Sequence, residues 1–115
     1  MSIQGKQFRT EITAAGELKL SLETVDFPDP KDDEVLVRVG ASPINPSDLG
    51  LLFGPADMSQ ATFGGTSDAP TVTAKIPDNM IRLVGARVGQ SLPAGNEGAG
   101  EVIQAGASDA AQALM

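Results

Sequence analysis

The chain of 115 residues contains no histidine, no cysteine, no tryptophan and no tyrosine. Without cysteine there are no disulfides and no thiolate nucleophile. Without histidine, Ser42 and Ser47 lack an activating imidazole, so a nucleophilic triad is excluded. A catalytic zinc ion takes three protein ligands from Cys, His or carboxylate, and the carboxylates left here do not supply that set, so no zinc is expected. General acid chemistry would rest on Asp, Glu, Lys or water. Eight basic residues face fifteen acidic ones, a formal charge of −7. That balance repels nucleic-acid phosphates and anionic lipid headgroups, so neither nucleic acid nor a membrane is an expected partner. No apolar run approaches the roughly 20 residues that span a bilayer. The opening Met1-Ser2-Ile3-Gln4-Gly5-Lys6 lacks the apolar core of a signal peptide. A cytoplasmic domain with a single core is expected. With four Phe as the only aromatics, that core should be aliphatic.

What is present reads mainly as strands. Phe8 to Ile12 begins a weak alternation, a turn follows at Ala15-Gly16, and Leu18, Leu20 and Leu22 then alternate with Lys19, Ser21 and Glu23, as in a strand with one buried face. After the charged, proline-stiffened connection Asp26–Asp33, the segment Glu34–Val39 predicts a strand with Val35, Val37 and Val39 on the core face. At Asn45-Pro46-Ser47-Asp48 the chemistry becomes that of a helix start: Asn as N-cap, Pro at the first position, Asp in the first turn facing the helix dipole. Gly54-Pro55 should stop that helix after about two turns. Gly54 to Lys75 has no sustained period and predicts a long excursion with a short strand at Thr71-Val72-Thr73. Pro77 to Val84 predicts a short helix with Met80, Ile81 and Val84 on one side, ended by Gly85. Arg87 to Leu92 should be extended, and Glu101 to Gln104 a strand. Residues 107–115 have Ser108 as an N-cap and then good helix formers, with no stop signal. This suggests a fragment whose tail begins a connection to a further domain.

The most informative stretch is Gly95-Asn96-Glu97-Gly98-Ala99-Gly100-Glu101-Val102, a glycine-rich turn that delivers a carboxylate just before a strand. A dinucleotide phosphate loop needs glycines in the order G-x-G-x-x-G between a strand and a helix. Here Gly95, Gly98 and Gly100 run in the reverse spacing, a strand follows, and Glu97 and Glu101 lie inside the loop. The glycines are best read as backbone devices, giving positive φ or close approach. Asn45 has an N-cap role that alone accounts for its identity, Asp48 reads first as a helix-start acid, and Glu97 reads equally as a loop-holding or a functional carboxylate.

The pairing of Ala41-Ser42-Pro43-Ile44-Asn45-Pro46-Ser47-Asp48-Leu49 with Gly95 to Val102 resembles the N-terminal, GroES-like domain of the medium-chain dehydrogenase/reductase superfamily. The likeness is greatest to its zinc-independent quinone oxidoreductase and enoyl reductase branch, and it runs from about Phe8 to Gly106. In the zinc-dependent alcohol dehydrogenases of that superfamily, a cysteine ligand falls near Ile44-Asn45 and a histidine at the position of Asn96. The Asn-Pro-x-Asp form is typical of the zinc-independent branch. The resemblance implies a mostly β fold, a partly open GroES-like barrel with one or two short helices. It also implies a two-domain enzyme moving hydride from NADPH to a quinone or an α,β-unsaturated carbonyl compound. Asn45, Asp48 and Glu97 would line the cofactor and substrate cleft, and Gly95, Gly98 and Gly100 would shape its wall. Cofactor binding would belong to a Rossmann domain outside this chain, leaving the chain inactive alone and with apolar surface open to self-association. Two departures stand out: many relatives carry a tyrosine where this chain has Leu49-Gly50-Leu51, and Gly54 to Leu92 is longer than the family's usual connection. Two readings from other classes stay open, a complete small binding module and a co-chaperonin-like ring subunit with the same barrel architecture.

Overall fold

A computed structural model describes the residues from Ile3 to Met115. Met1 and Ser2, the first two residues of the N-terminus read above, lie outside them. The fold is mostly β, as expected, with seven strands in two sheets. They are β1 (Ile3–Ile12), β2 (Glu17–Phe27), β3 (Val35–Ala41), β4 (Thr62–Gly65), β5 (Pro70–Lys75), β6 (Ser91–Pro93) and β7 (Ala99–Ala105). Two helices of four residues lie between strands, α1 (Leu49–Leu52) and α2 (Asp78–Ile81), and a third, α3 (Asp109–Gln112), follows β7. One sheet has the order β4-β5-β2-β1-β6 and the other pairs β3 with β7. No barrel is closed among the described residues. No helix among them is long and apolar enough to cross a membrane.

The chain divides into two units. The first comprises Lys6–Thr24 and Ile44–Gly95. Its core joins Ile12 of β1, Leu18 and Leu20 of β2, Ile76 and Val84, with Leu52, Met58, Val72, Met80 and Ile81 packed around them. The alternation of β2 explains this directly, because Leu18 and Leu20 fall on one pleat face opposite Ala74 and Val72 of β5. Ser21 departs from the expected pattern, since it lies on the other face and is nonetheless buried. Its hydroxyl is satisfied by donating to the Glu23 carboxylate at 2.7 Å. The segment from Pro77 begins as the expected helix, α2, and tightens into a 3-10 turn over Arg82–Arg87. Met80, Ile81 and Val84 do share its inward side. That turn runs past Gly85 to Arg87, and the chain turns again at Gly89 (φ +80°), with the Gln90 amide donating to the Arg87 carbonyl at 3.0 Å. The extended stretch expected over Arg87–Leu92 is thus reduced to Val88, which bridges Ile12, and the strand that starts at Ser91.

The expected shapeless excursion is corrected most. Thr62–Gly65 and Pro70–Lys75 form a hairpin, and β5 pairs with β2 over five residues, from Glu17↔Lys75 to Ser21↔Thr71. The strand is thus longer than Thr71–Thr73. It holds because β2 offers a complete ladder, not because the Gly- and Thr-rich segment has a pattern of its own. Ahead of it, Asp57 caps the 3-10 turn Met58–Gln60. It accepts the Ser59 hydroxyl at 2.6 Å and the Ser59 amide at 3.1 Å. Those two bonds hold its carboxyl below the ordinary aspartate value, the hydroxyl contributing most.

The second unit comprises, among the described residues, 3–5, Val25–Pro43 and Asn96–Met115. Its sheet pairs Val35↔Ala105, Arg38↔Glu101 and Val39↔Gly100, with irregularities after Leu36 and Val39. The expectation that Val35, Val37 and Val39 would share a core face is overturned. Val35 is half-buried, but Val37 is 42% and Val39 60% exposed. Alternation identified a face, and a two-stranded sheet supplies no second layer to cover it. At the C-terminal end Ser108 is the N-cap expected, its hydroxyl accepting the Ala111 amide at 3.1 Å.

Candidate functional site

In the first unit the chain leaves an extended Asn45 (φ −93°, ψ 155°) and turns at once into a 3-10 turn over Pro46–Asp48, which passes into α1. Pro46 is tolerated because the first amide of a helix has no partner to lose. Asp48 is only 5% exposed. Its Oδ2 accepts the Asn45 backbone amide at 2.8 Å, and the Asp48 amide donates to the Asn45 carbonyl at 2.9 Å, within a capping box. The helix-start reading of Asp48 is therefore right in kind, and its place is buried. Gly54 ends the helix as expected, with its amide donating to the Leu49 carbonyl at 3.0 Å and φ at +46°.

Two residues that sequence reasoning passed over secure this helix. The buried Thr10 hydroxyl on β1 donates to the Leu51 carbonyl at 2.7 Å, and Arg87 Nη2 donates to Thr10 Oγ1 at 3.4 Å. Thr10 has the parity of Ile12 and so the inward face of its strand, which was the available signal. Nothing in the sequence ties Arg87 to α1.

Removing the Asp48 carboxylate should take away the 2.8 Å bond that it accepts from the Asn45 amide. We expect Asp48→Ala to cost about 0.5–2 kcal/mol of stability, read as a lower urea midpoint with an unchanged slope. Faster hydrogen exchange should appear at the Asn45 amide. An unchanged Asn45 exchange rate would show that the carboxylate does not hold the loop.

The glycine-rich loop is shaped by its glycines in two different ways. Gly95, which falls in the first unit, has φ +90°. Gly98 and Gly100, in the second, serve close approach: a Cβ on Gly98 would lie 3.3 Å from Val39 Cγ1, and one on Gly100 only 1.9 Å from the Arg38 carbonyl oxygen. The loop is tethered by Ser42, whose hydroxyl donates to the Glu97 carbonyl at 2.8 Å. Ser42, excluded as a nucleophile, is thus a structural clamp between the end of β3 and the loop. Asn96 and Glu97 are exposed. Gly100 already lies in β7, so the loop leads into a strand and does not present a helix N-terminus, which a pyrophosphate cradle requires.

Asn45 is thereby brought to Asp48, and Glu97 to Ser42, Gly98 and Gly100, each group within its own unit. Two clefts lie away from these groups. One of about 510 Å³ in the second unit is lined by Asp29, Ile103, Gln104, Gln112 and Met115. Another of about 280 Å³ in the first is lined by Asp57, Gln60, Lys75, Pro77 and Asp78. Among the described residues no group of three or more acidic side chains is placed to hold a metal ion. In a comparison with protein-family models, none matches this chain.

Proposed function

We propose that this chain is the substrate-side, GroES-like domain of an NAD(P)H-dependent, zinc-independent reductase acting on quinones or α,β-unsaturated carbonyl compounds. The observation that carries the reading is the pinned helix start Asn45-Pro46-Ser47-Asp48. It fixes Asn45, the residue that the resemblance places beside the nicotinamide, by a buried carboxylate rather than leaving it on a loose loop. The uncovered Val37 and Val39 also fit a sheet that another domain would cover.

In such an enzyme the cofactor supplies the hydride, and the electron-poor carbon of the substrate accepts it. The protein's part is then positioning and exclusion of water. Asn45 offers an amide that can donate to a carbonyl oxygen of the substrate or cofactor. Asp48 keeps the Asn45 backbone in register, and Ser42 with the close-packed Gly98 and Gly100 holds the loop that carries Glu97. With no His, Cys or Tyr in the chain, the balancing proton comes from water or from an acidic or lysine side chain.

The isolated chain lacks a phosphate cradle, and we expect calorimetry to show no NADPH binding. A micromolar dissociation constant would overturn the assignment of cofactor binding to another domain. Translating the gene past Met115 tests the two-domain reading: a strand, a glycine-rich turn and a helix support it, and an immediate stop codon sinks it.

A further inference from the structure

The five-stranded sheet has two edges with opposite characters. At one, β6 carries Pro93, whose ring offers no amide to a further strand. At the other, β4 is short, only four residues, but among the described residues it carries no proline, no lysine and no register shift, and all four of its residues are exposed. In a chain of net charge −7, the stretch Ala61-Thr62-Phe63-Gly64-Gly65-Thr66-Ser67 carries no charge at all.

The register fixes which groups of β4 face outward. The Thr66 amide donates to the Ala69 carbonyl at 3.2 Å, closing the hairpin. Hydrogen-bonded pairs alternate along an antiparallel ladder, so Gly64↔Thr71 and Thr62↔Thr73 are the next bonded pairs and Gly65↔Pro70 and Phe63↔Val72 are not. Proline, which has no amide, sits opposite Gly65 as this requires. Gly65 has φ +76°, but its amide lies opposite the Gly64 carbonyl and its carbonyl opposite the Thr66 amide across planar peptides, and both of those neighbours bond inward. Its amide and carbonyl, like those of Phe63, therefore point away from the sheet. The Phe63 side chain shares a face with Val72 and Leu20, its successive neighbours across the ladders. That apolar row starts in the core and ends at an aromatic ring 82% exposed.

We propose that β4 is a pairing edge for a second copy of this chain, joined antiparallel about a two-fold axis at Gly64. Phe63 of each copy lies opposite Gly65 of the other, and the outward amides and carbonyls of these residues make four hydrogen bonds. The register is self-complementary. Each Phe63 ring covers a glycine and reaches the proline beside it, the arrangement by which aromatic side chains compensate glycines in strands. The uncharged strand lets two acidic molecules meet without opposed charges. This inference is independent of the reductase reading.

Light scattering on the purified chain should give twice the chain mass of 11.8 kDa, and Phe63→Lys should return it to the single mass with an unchanged far-ultraviolet circular dichroism spectrum. Leu83→Lys, at an apolar side chain of similar exposure (74%), should leave the dimer intact. The register has its own readout, because the chain has no native cysteine. Gly64→Cys places two thiols across a non-hydrogen-bonded antiparallel pair, where Cα atoms lie about 4.5 Å apart, within disulfide reach. It should form a covalent dimer under mild oxidation. A monomer at every accessible concentration, a dimer that survives Phe63→Lys, or a dimer that Gly64→Cys cannot cross-link would overturn the proposal.

Discussion

Ile12→Ala is expected to cost about 2–5 kcal/mol of folding stability, a large share of the roughly 5–15 kcal/mol that separates a typical domain from its unfolded state. Ile12 is fully buried and belongs, among the described residues, to a cluster of five buried side chains, with Leu18, Leu20, Ile76 and Val84. Such a core has little to collapse into a vacancy. The neighbours that would have to move belong to three different elements or their flanks: Leu18 and Leu20 on β2, Ile76 after β5, and Val84 in the turn that follows α2. The backbone limits relaxation further. The Ile12 carbonyl accepts the Gly89 amide at 2.8 Å, and the residue bridges Val88. Since the chain has no Trp or Tyr, urea unfolding is best followed by far-ultraviolet circular dichroism. The midpoint should fall sharply at constant slope. Ile12→Val should cost only about 0.5–1.5 kcal/mol, and Leu83→Ala at the surface less than about 0.5 kcal/mol. If Ile12→Ala is no worse than Leu83→Ala, the cluster is not the core of its unit.

Features set by local chemistry were legible in the sequence, and features set by neighbours were not. The parity of Leu18 and Leu20, the proline after Asn45, the glycine that stops α1 and the serine that caps α3 each act within a few residues, and each is found where expected. The strand at Val35–Ala41 was legible as a strand, but alternation marks a pair of unlike faces and does not say whether anything covers the apolar one. The β4–β5 hairpin was missed for a related reason. Glycine and threonine around Phe63 carry no period, and the hairpin exists because β2 provides a ladder beside β5. At the candidate site, the helix start at Asn45 was readable, while the burial of Asp48 and the clamp from Ser42 depend on contacts across the fold. Serine is too common in turns for Ser42 to announce a tether to a loop 55 residues later.

Glycines show the same division, and Gly106 carries the sharpest consequence. Its φ is not in the left-handed region, so its identity follows from space alone. A Cβ there would lie 1.8 Å from the Lys31 carbonyl oxygen and 2.3 Å from that of Asp32. These oxygens are backbone atoms of a turn that cannot give way cheaply. The Glu34 amide donates to the Lys31 carbonyl at 3.0 Å, the Gly106 amide to the Glu34 carbonyl at 2.8 Å, and the Ser108 amide to the Asp32 carbonyl at 3.0 Å. Gly106→Ala must push β7 and the turn apart and break some of these bonds. Overpacking costs about 1–3 kcal/mol and each lost hydrogen bond about 1 kcal/mol more, so we expect a loss of several kcal/mol. Gly50→Ala makes the contrast, because its Cβ meets nothing within 4 Å. In the helix α1 that substitution should stabilise by about 0.5–1 kcal/mol. The two substitutions add the same methyl group and should move the urea midpoint in opposite directions. Hydrogen exchange should also accelerate at the Glu34, Gly106 and Ser108 amides in Gly106→Ala and remain unchanged there in Gly50→Ala. If the Gly106 variant keeps both its midpoint and its protected amides, the close approach of β7 to the Lys31–Glu34 turn is wrong, because no rotamer or side-chain adjustment can make room against two carbonyl oxygens.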